Sequence, residues 1–176
     1  KLSLINFMID KLKFVLSSLN NRIDLVNSVL NIKIVNDIPI KVISSRIYSI
    51  NKFIQNKDFN SFLANFKRIN NILKSEKFSN NAALQVDTKI FETMEEEHIN
   101  NIIKSFSRKI REKGMCDKSQ DIFINSLIKM NEPISLFFEN VIVNHDDYNI
   151  KTNRLSLLKN LQNSILEFSS FNFIEN

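Results

Sequence analysis

NKDFNSFLANFKRINNILK, residues 56–74, places Phe59, Phe62, Leu63, Phe66, Ile69, Ile72 and Leu73 at intervals of three and four. That spacing is the period of an α-helix with one buried face. Lys67, Arg68, Asn71 and Lys74 fall on the opposite side. Asp58 stands where an N-cap belongs, and the pattern runs to about Lys77. No Gly or Pro interrupts it, so the segment predicts a long amphipathic helix with an apolar floor and a basic outer edge.

The same period recurs on both sides. Upstream, Leu4, Phe7, Met8, Leu12, Val15 and Leu19 predict a first helix, and Ile23, Val26, Val29 and Leu30 a short second one. Pro39 precedes a third helix carrying Val42, Ile43, Ile47, Ile50 and Ile54. Downstream, Ser79-Asn80-Asn81 predicts a loop. A helix is expected from Asp87 to Lys113 with Gly114 as its C-terminal cap, and another over Ser119 to Met130. Pro133 then reads as the start of the helix PISLFFENVI. Asn144-His145-Asp146-Asp147 caps a last helix that runs to about Phe168. With one Gly and two Pro in 176 residues, few turns are available to a β-rich fold. The expected architecture is all-α, a bundle of about seven to eight helices, in an N-terminal part (1–78) and a C-terminal part (79–176).

Charge is uneven across that division. Residues 1–78 carry 13 Lys/Arg and 5 Asp/Glu, net +8, whereas residues 79–176 carry 11 and 14, net −3. A basic half points to a polyanionic partner such as RNA. The 15 Phe fall mostly on helical apolar stripes, with Phe59, Phe62 and Phe66 the clearest core set. The chain starts at Lys1 rather than Met, so a piece of a larger protein is expected. No run of apolar residues approaches membrane-span length, and the first helix lacks the cleavage site of a signal peptide.

Most enzymatic chemistries find no purchase here. One Gly cannot build a phosphate-cradling loop, and neither an HExxH pair nor paired Cys exists for zinc. Cys116 is single, which excludes an internal disulfide and suits a reducing compartment. His145-Asp146-Asp147 reads as a polar linker, and Glu95-Glu96-Glu97 beside His98 as a solvated acidic face. No catalytic residue, metal ligand or cofactor site is expected in this stretch.

Two segments carry more than generic helix. One joins Ser45-Arg46-Ile47 to residues 56–74, including FKR-x-x-NIL from Phe66 to Leu73. The other is PISLFFENVIVNHDDYNIKTNRLSLLKNL, residues 133–161. It combines Phe137-Phe138, a Val-x-Val turn at 141–143, the acidic Asp146-Asp147 and an R-x-N-R-L-x-L-L pattern at Lys151–Leu158. In this order they resemble the C-terminal region of the bacterial glycyl-tRNA synthetase beta subunit, which ends in a DALR-type anticodon-binding domain. Glu167-Phe168-Ser169 resembles that family's ending. Lys151 stands where the motif usually has Arg, so a bidentate contact at that position is weakened or lost.

The resemblance implies a tRNA(Gly)-binding region of glycine–tRNA ligase, an enzyme using ATP to attach glycine to tRNA. It also implies an alpha-subunit partner in a heterotetramer of two alpha and two beta chains, and a cytoplasmic setting, with no membrane or DNA partner. Glycine anticodons end in two cytosines, whose edges ask for an acceptor at N4 and donors at N3 and O2. Arg46, Lys67, Arg68, Asn71, Lys74, Asn144, Lys151, Asn153 and Arg154 form the candidate RNA-binding set. Lys67 and Lys74 suit phosphates, while Arg68, Asn71, Asn144, Asn153 and Arg154 suit base edges or positioning. Asn153 and Arg154 equally fit buried struts between the last helix and the turn before it. Two alternatives stand beside this reading: a helical protein–protein docking module, and the anticodon-binding domain of arginyl-tRNA synthetase, which fits FKR-x-x-NIL and Phe168-Ser169 less well.

Overall fold

Helical periodicity becomes helix along most of the chain. The computed structural model describes residues 2–18, 22–32, 37–78 and 85–174, residues 2–6 by backbone alone. Among the described residues the α-helices are α1 (Leu2–Ser18), α2 (Ile23–Leu30), α3 (Ile40–Ile54), α4 (Phe59–Ser75), α5 (Met94–Lys113), α6 (Gln120–Asn140) and α7 (Tyr148–Phe168). Short 3-10 turns occur at Thr88–Ile90, Asp117–Ser119 and Phe171–Phe173, and no strand occurs among the described residues. The all-α expectation is met. The loop expected at Ser79-Asn80-Asn81 lies outside the described residues.

Helix α5 packs on α6 and α7, α3 and α4 pack on α6, and α4 also packs on α7. Helix α2 rests on α3 and on the Phe171–Phe173 turn, and α1 rests on α2. Ten of the 15 Phe are buried, including Phe59, Phe62 and Phe66 as expected. Phe171 is fully buried and sits edge-on to Phe53, Phe62 and Phe66 at centroid distances of 6.4, 5.1 and 6.1 Å. The segment after α7 thus closes the aromatic core between α3 and α4. Edge-to-face pairs of this kind contribute about 0.5–1.5 kcal/mol each beyond their burial.

Several local expectations are corrected. Helix α1 turns Leu16 inward and leaves Phe7, Met8 and Val15, three of its predicted apolar stripe, exposed. A helix apolar on most sides does not declare which face packs. The backbone at Asp58 is already helical (φ −84°, ψ −10°), so its carboxylate makes no cap bond. Helix α5 begins at Met94, not after Asp87, because Thr93 and Glu96 form a reciprocal capping box. Asp87 instead caps the 3-10 turn, accepting from the Lys89 amide. Pro133 does not open a helix but lies inside α6, buried. Its missing N–H forfeits one intrahelical bond. Beside it, Asn65 of α4 donates to Asn131 Oδ1 (2.8 Å) and Ser135 Oγ (2.9 Å), fastening α4 to α6 on either side of the proline.

Helix α4 ends in a Schellman motif: the Phe78 amide donates to Leu73 O (3.0 Å) and the Lys77 amide to Lys74 O (3.1 Å). Lys77 takes the left-handed position (φ 49°) that Gly usually fills. Gly114 does close α5, but with right-handed backbone (φ −61°). It is small for want of space, since a Cβ there would collide with the Ile110 carbonyl oxygen.

Candidate nucleic-acid interface

Helix α4 turns Phe59, Phe62, Leu63, Phe66, Ile69 and Leu73 into the core. That fixes the rest of its surface by geometry, and Lys67, Arg68, Asn71 and Lys74 are all exposed. The helix contains no Asp or Glu, so its ridge is free of acid from Phe59 to Ser75. Lys67, Asn71 and Lys74 make no side-chain hydrogen bond or ion pair among the described residues. Their polar groups are open to a ligand.

Beside this ridge lies a groove of about 370 Å3 between α4, the end of α6, the turn after it and the start of α7. Arg68 stands on one side, its guanidinium 4.3 Å from the centroid of the Phe138 ring. A cation over an aromatic face is held by the ring quadrupole, which orients Arg68 without consuming its N–H donors. Asn144 also lines the groove, exposed and with no protein partner among the described residues. Lys151 also lines the groove, but its Nζ pairs with Glu76 Oε2 at 2.7 Å, so part of its charge is spent within the protein. Ile142 on the turn and Tyr148 at the start of α7 have 72% and 77% of their surface exposed, and neither stands out in the sequence.

The other three candidates are internal. Arg46 is 1% exposed. It donates to Gln120 Oε1 (3.0 Å) and to the carbonyls of Phe168 (3.0 Å), Gly114 (3.3 Å) and Glu167 (3.4 Å), with its guanidinium 4.8 Å from the Phe168 ring centroid. It ties α3 to the ends of α5 and α7 and the start of α6, and is withdrawn from the RNA-facing set. Burial pushes its pKa down to about 10, which leaves it protonated at neutral pH. Asn153 is likewise a strut: it accepts from the Asp87 amide (2.9 Å) and donates to the Asp87 carbonyl (3.0 Å).

Arg154, 3% exposed, donates to Glu96 Oε1 (3.0 Å), Glu92 Oε2 (2.8 Å) and the Ile142 carbonyl (3.0 Å). Burial alone would lower its pKa. Hydrogen bonds and charge from Glu96, then Glu92, outweigh that and hold it above the ordinary Arg value. Glu96 is completely buried, which overturns the expectation of a solvated Glu95-Glu96-Glu97 face. The signal for it was present in Thr93-x-x-Glu96, a capping-box pattern. The linker behaves as expected: Asp147 accepts from the amides of Asn149 (2.7 Å) and Ile150 (3.2 Å) and starts α7.

The structure defines an all-helical domain with a basic α4 ridge beside a groove whose turn is held by the buried Arg154. The chain belongs to the DALR anticodon binding domain family, whose sequence profile matches residues 62–168. Among proteins it is similar to, the glycine–tRNA ligase beta subunit of Buchnera aphidicola subsp. Schizaphis graminum is 28% identical over 171 residues, 97% of this chain and 23% of that protein. That of Thermodesulfovibrio yellowstonii is 29% identical over 158 residues, 88% of this chain and 22% of that protein. That of Rickettsia africae is 28% identical over 169 residues, 96% and 24% respectively. The likeness read from residues 45–74 and 133–161 is borne out. The chain spans about a quarter of the length of these relatives.

Proposed function

We propose that this chain is the anticodon-binding region of a glycine–tRNA ligase beta subunit. It would hold the anticodon stem-loop of tRNA(Gly) while the whole enzyme, with its alpha subunit and ATP, attaches glycine in the cytoplasm. The observation that carries this reading is the acid-free ridge of α4 beside the Arg68–Asn144 groove. Lys67 and Lys74 serve the phosphates, as compact charges with no competing partner among the described residues. Arg68, Asn71 and Asn144 present the donors and acceptors that splayed cytosines require. Lys151, already paired with Glu76, contributes at the groove wall as a weakened cation. Asn153, Arg154 and Arg46 contribute by holding the frame. The chain itself performs no chemistry in this scheme.

The test is a gel shift at low and moderate salt with a tRNA(Gly) transcript and the same transcript with both anticodon cytosines changed. Tighter binding of the unchanged RNA, weakening steeply with salt, is the expected result. Equal binding of both RNAs removes base reading and leaves a nonspecific or structural role.

A further inference from the structure

We infer that Glu96, acting through Arg154, is a positioning residue that sets base discrimination in the groove rather than overall affinity for RNA. This rests on the anticodon reading above. The turn carrying Asn144 has no regular structure of its own, running from Val141 to the Asp147 cap. Arg154 holds it from inside the protein, through Nη1 to the Ile142 carbonyl at 3.0 Å, two residues before Asn144. The guanidinium is in turn clamped on its other edge. Nε donates to Glu96 Oε1 (3.0 Å), and Nη2 to Glu92 Oε2 (2.8 Å) and Glu96 Oε2 (3.4 Å).

Glu96 is itself immobile. Its Oε2 also accepts from the amides of Glu92 and Thr93 (3.0 Å each) and from Thr93 Oγ1 (3.2 Å), which welds it to the start of α5. One rigid path therefore runs from the α5 capping box through a planar guanidinium to the wall of the groove. A planar fork held at both edges transmits orientation as well as charge. Glu92 extends the path to the turn again, since its Oε2 stands 3.8 Å from His145 Nε2. His145 accepts the Asp147 amide on Nδ1 (3.0 Å).

The ridge is independent of this path: Lys67 and Lys74 sit on α4, which none of these bonds touches. Loosening the path should blunt base reading by Asn144 and spare the phosphate contacts. Separation of discrimination from salt dependence is the readout that a merely structural role would not produce.

The experiment uses the intact protein and the two transcripts described above, bound across a salt series. Glu96→Gln keeps the shape and removes the charge that clamps Arg154. The preference for the unchanged transcript should fall about tenfold, the size of one lost charge-assisted hydrogen bond, with the salt slope unchanged. Glu92 is half-exposed, so Glu92→Gln puts the fold at little risk and decides the matter if Glu96→Gln does not fold; a fall of about threefold is expected. A wild-type protein that binds both transcripts equally overturns the anticodon reading and this inference with it. If the wild type discriminates and the folded variants discriminate equally well, or lose salt slope instead, the inference alone is overturned.

Discussion

The guanidinium of Arg68 lies 4.3 Å from the ring centroid of Phe138, joining the exposed edge of α4 to the buried end of α6. The contact links two segments that the sequence marks separately, FKR-x-x-NIL and LFFENVIV. It also divides the ridge into an oriented cation and two open ones.

That division makes the first prediction. Lys67→Ala and Lys74→Ala should each lower the salt slope of tRNA binding by roughly one unit, leaving the denaturation midpoint in place. Arg68→Ala should lower the slope as well and weaken the preference for the unchanged anticodon. Arg68→Lys should restore the slope without the preference, because a Lys cannot present a fork. Salt titrations that leave all three slopes at the wild-type value would remove α4 from the interface.

Arg46 behaves oppositely. Arg46→Met strands the acceptors it satisfies and should cost about 3 kcal/mol in urea denaturation. Burial holds the folded pKa at about 10, below the ordinary Arg value, so folding releases a proton only between the two, and stability rises with pH only there. Below about pH 9 both states hold the proton, and the gap between wild-type and Arg46→Met midpoints should stay constant from about pH 6 to 9. A drift in that gap would contradict a folded pKa as high as about 10 for Arg46.

Lys77 offers a stabilising change. Its φ of 49° costs a side-chain-bearing residue what Gly avoids. Lys77→Gly should raise stability by about 0.5–1 kcal/mol, read as a higher midpoint at unchanged denaturant slope. A lower midpoint would mean the Schellman turn is not retained.

Phe171 lies beyond the last α-helix yet is fully buried. Phe171→Ala should cost about 3–5 kcal/mol by opening a cavity against Phe53, Phe62 and Phe66. A loss below about 1 kcal/mol would show that the segment after α7 does not hold the core together.

Helix α4 can be read from residues alone because of its strong periodicity, and α7 from the Asp147 cap that starts it, although α7 is buried on every side over residues 153–159. In sequence, Pro133 divides helix α6, since a proline marks a first turn more often than an interior; Asn65 on another helix shows how the interior position is held. The candidate site was legible where it faces solvent, as at Lys67, Asn71 and Lys74. It was not legible at Arg46, whose acceptors lie 68 to 122 residues away in sequence. Glu96 was misread for the same reason: next to two other glutamates it looks hydrated, and its partner Arg154 follows 58 residues later.

The Ser28 carbonyl on α2 accepts from the Ser170 amide at 2.7 Å, and from the Ser169 hydroxyl at 3.4 Å across a separation of 141 residues. Non-local closures of this kind make folding slow, because chain entropy is lost before the contact forms. On the ribosome, α2 is made before residues 169 and 170 and has no such partner until they have left the exit tunnel. The core beneath α4 waits on Phe171 in the same way. A nascent chain therefore cannot complete the aromatic core on which the α4 ridge sits before this late segment is made.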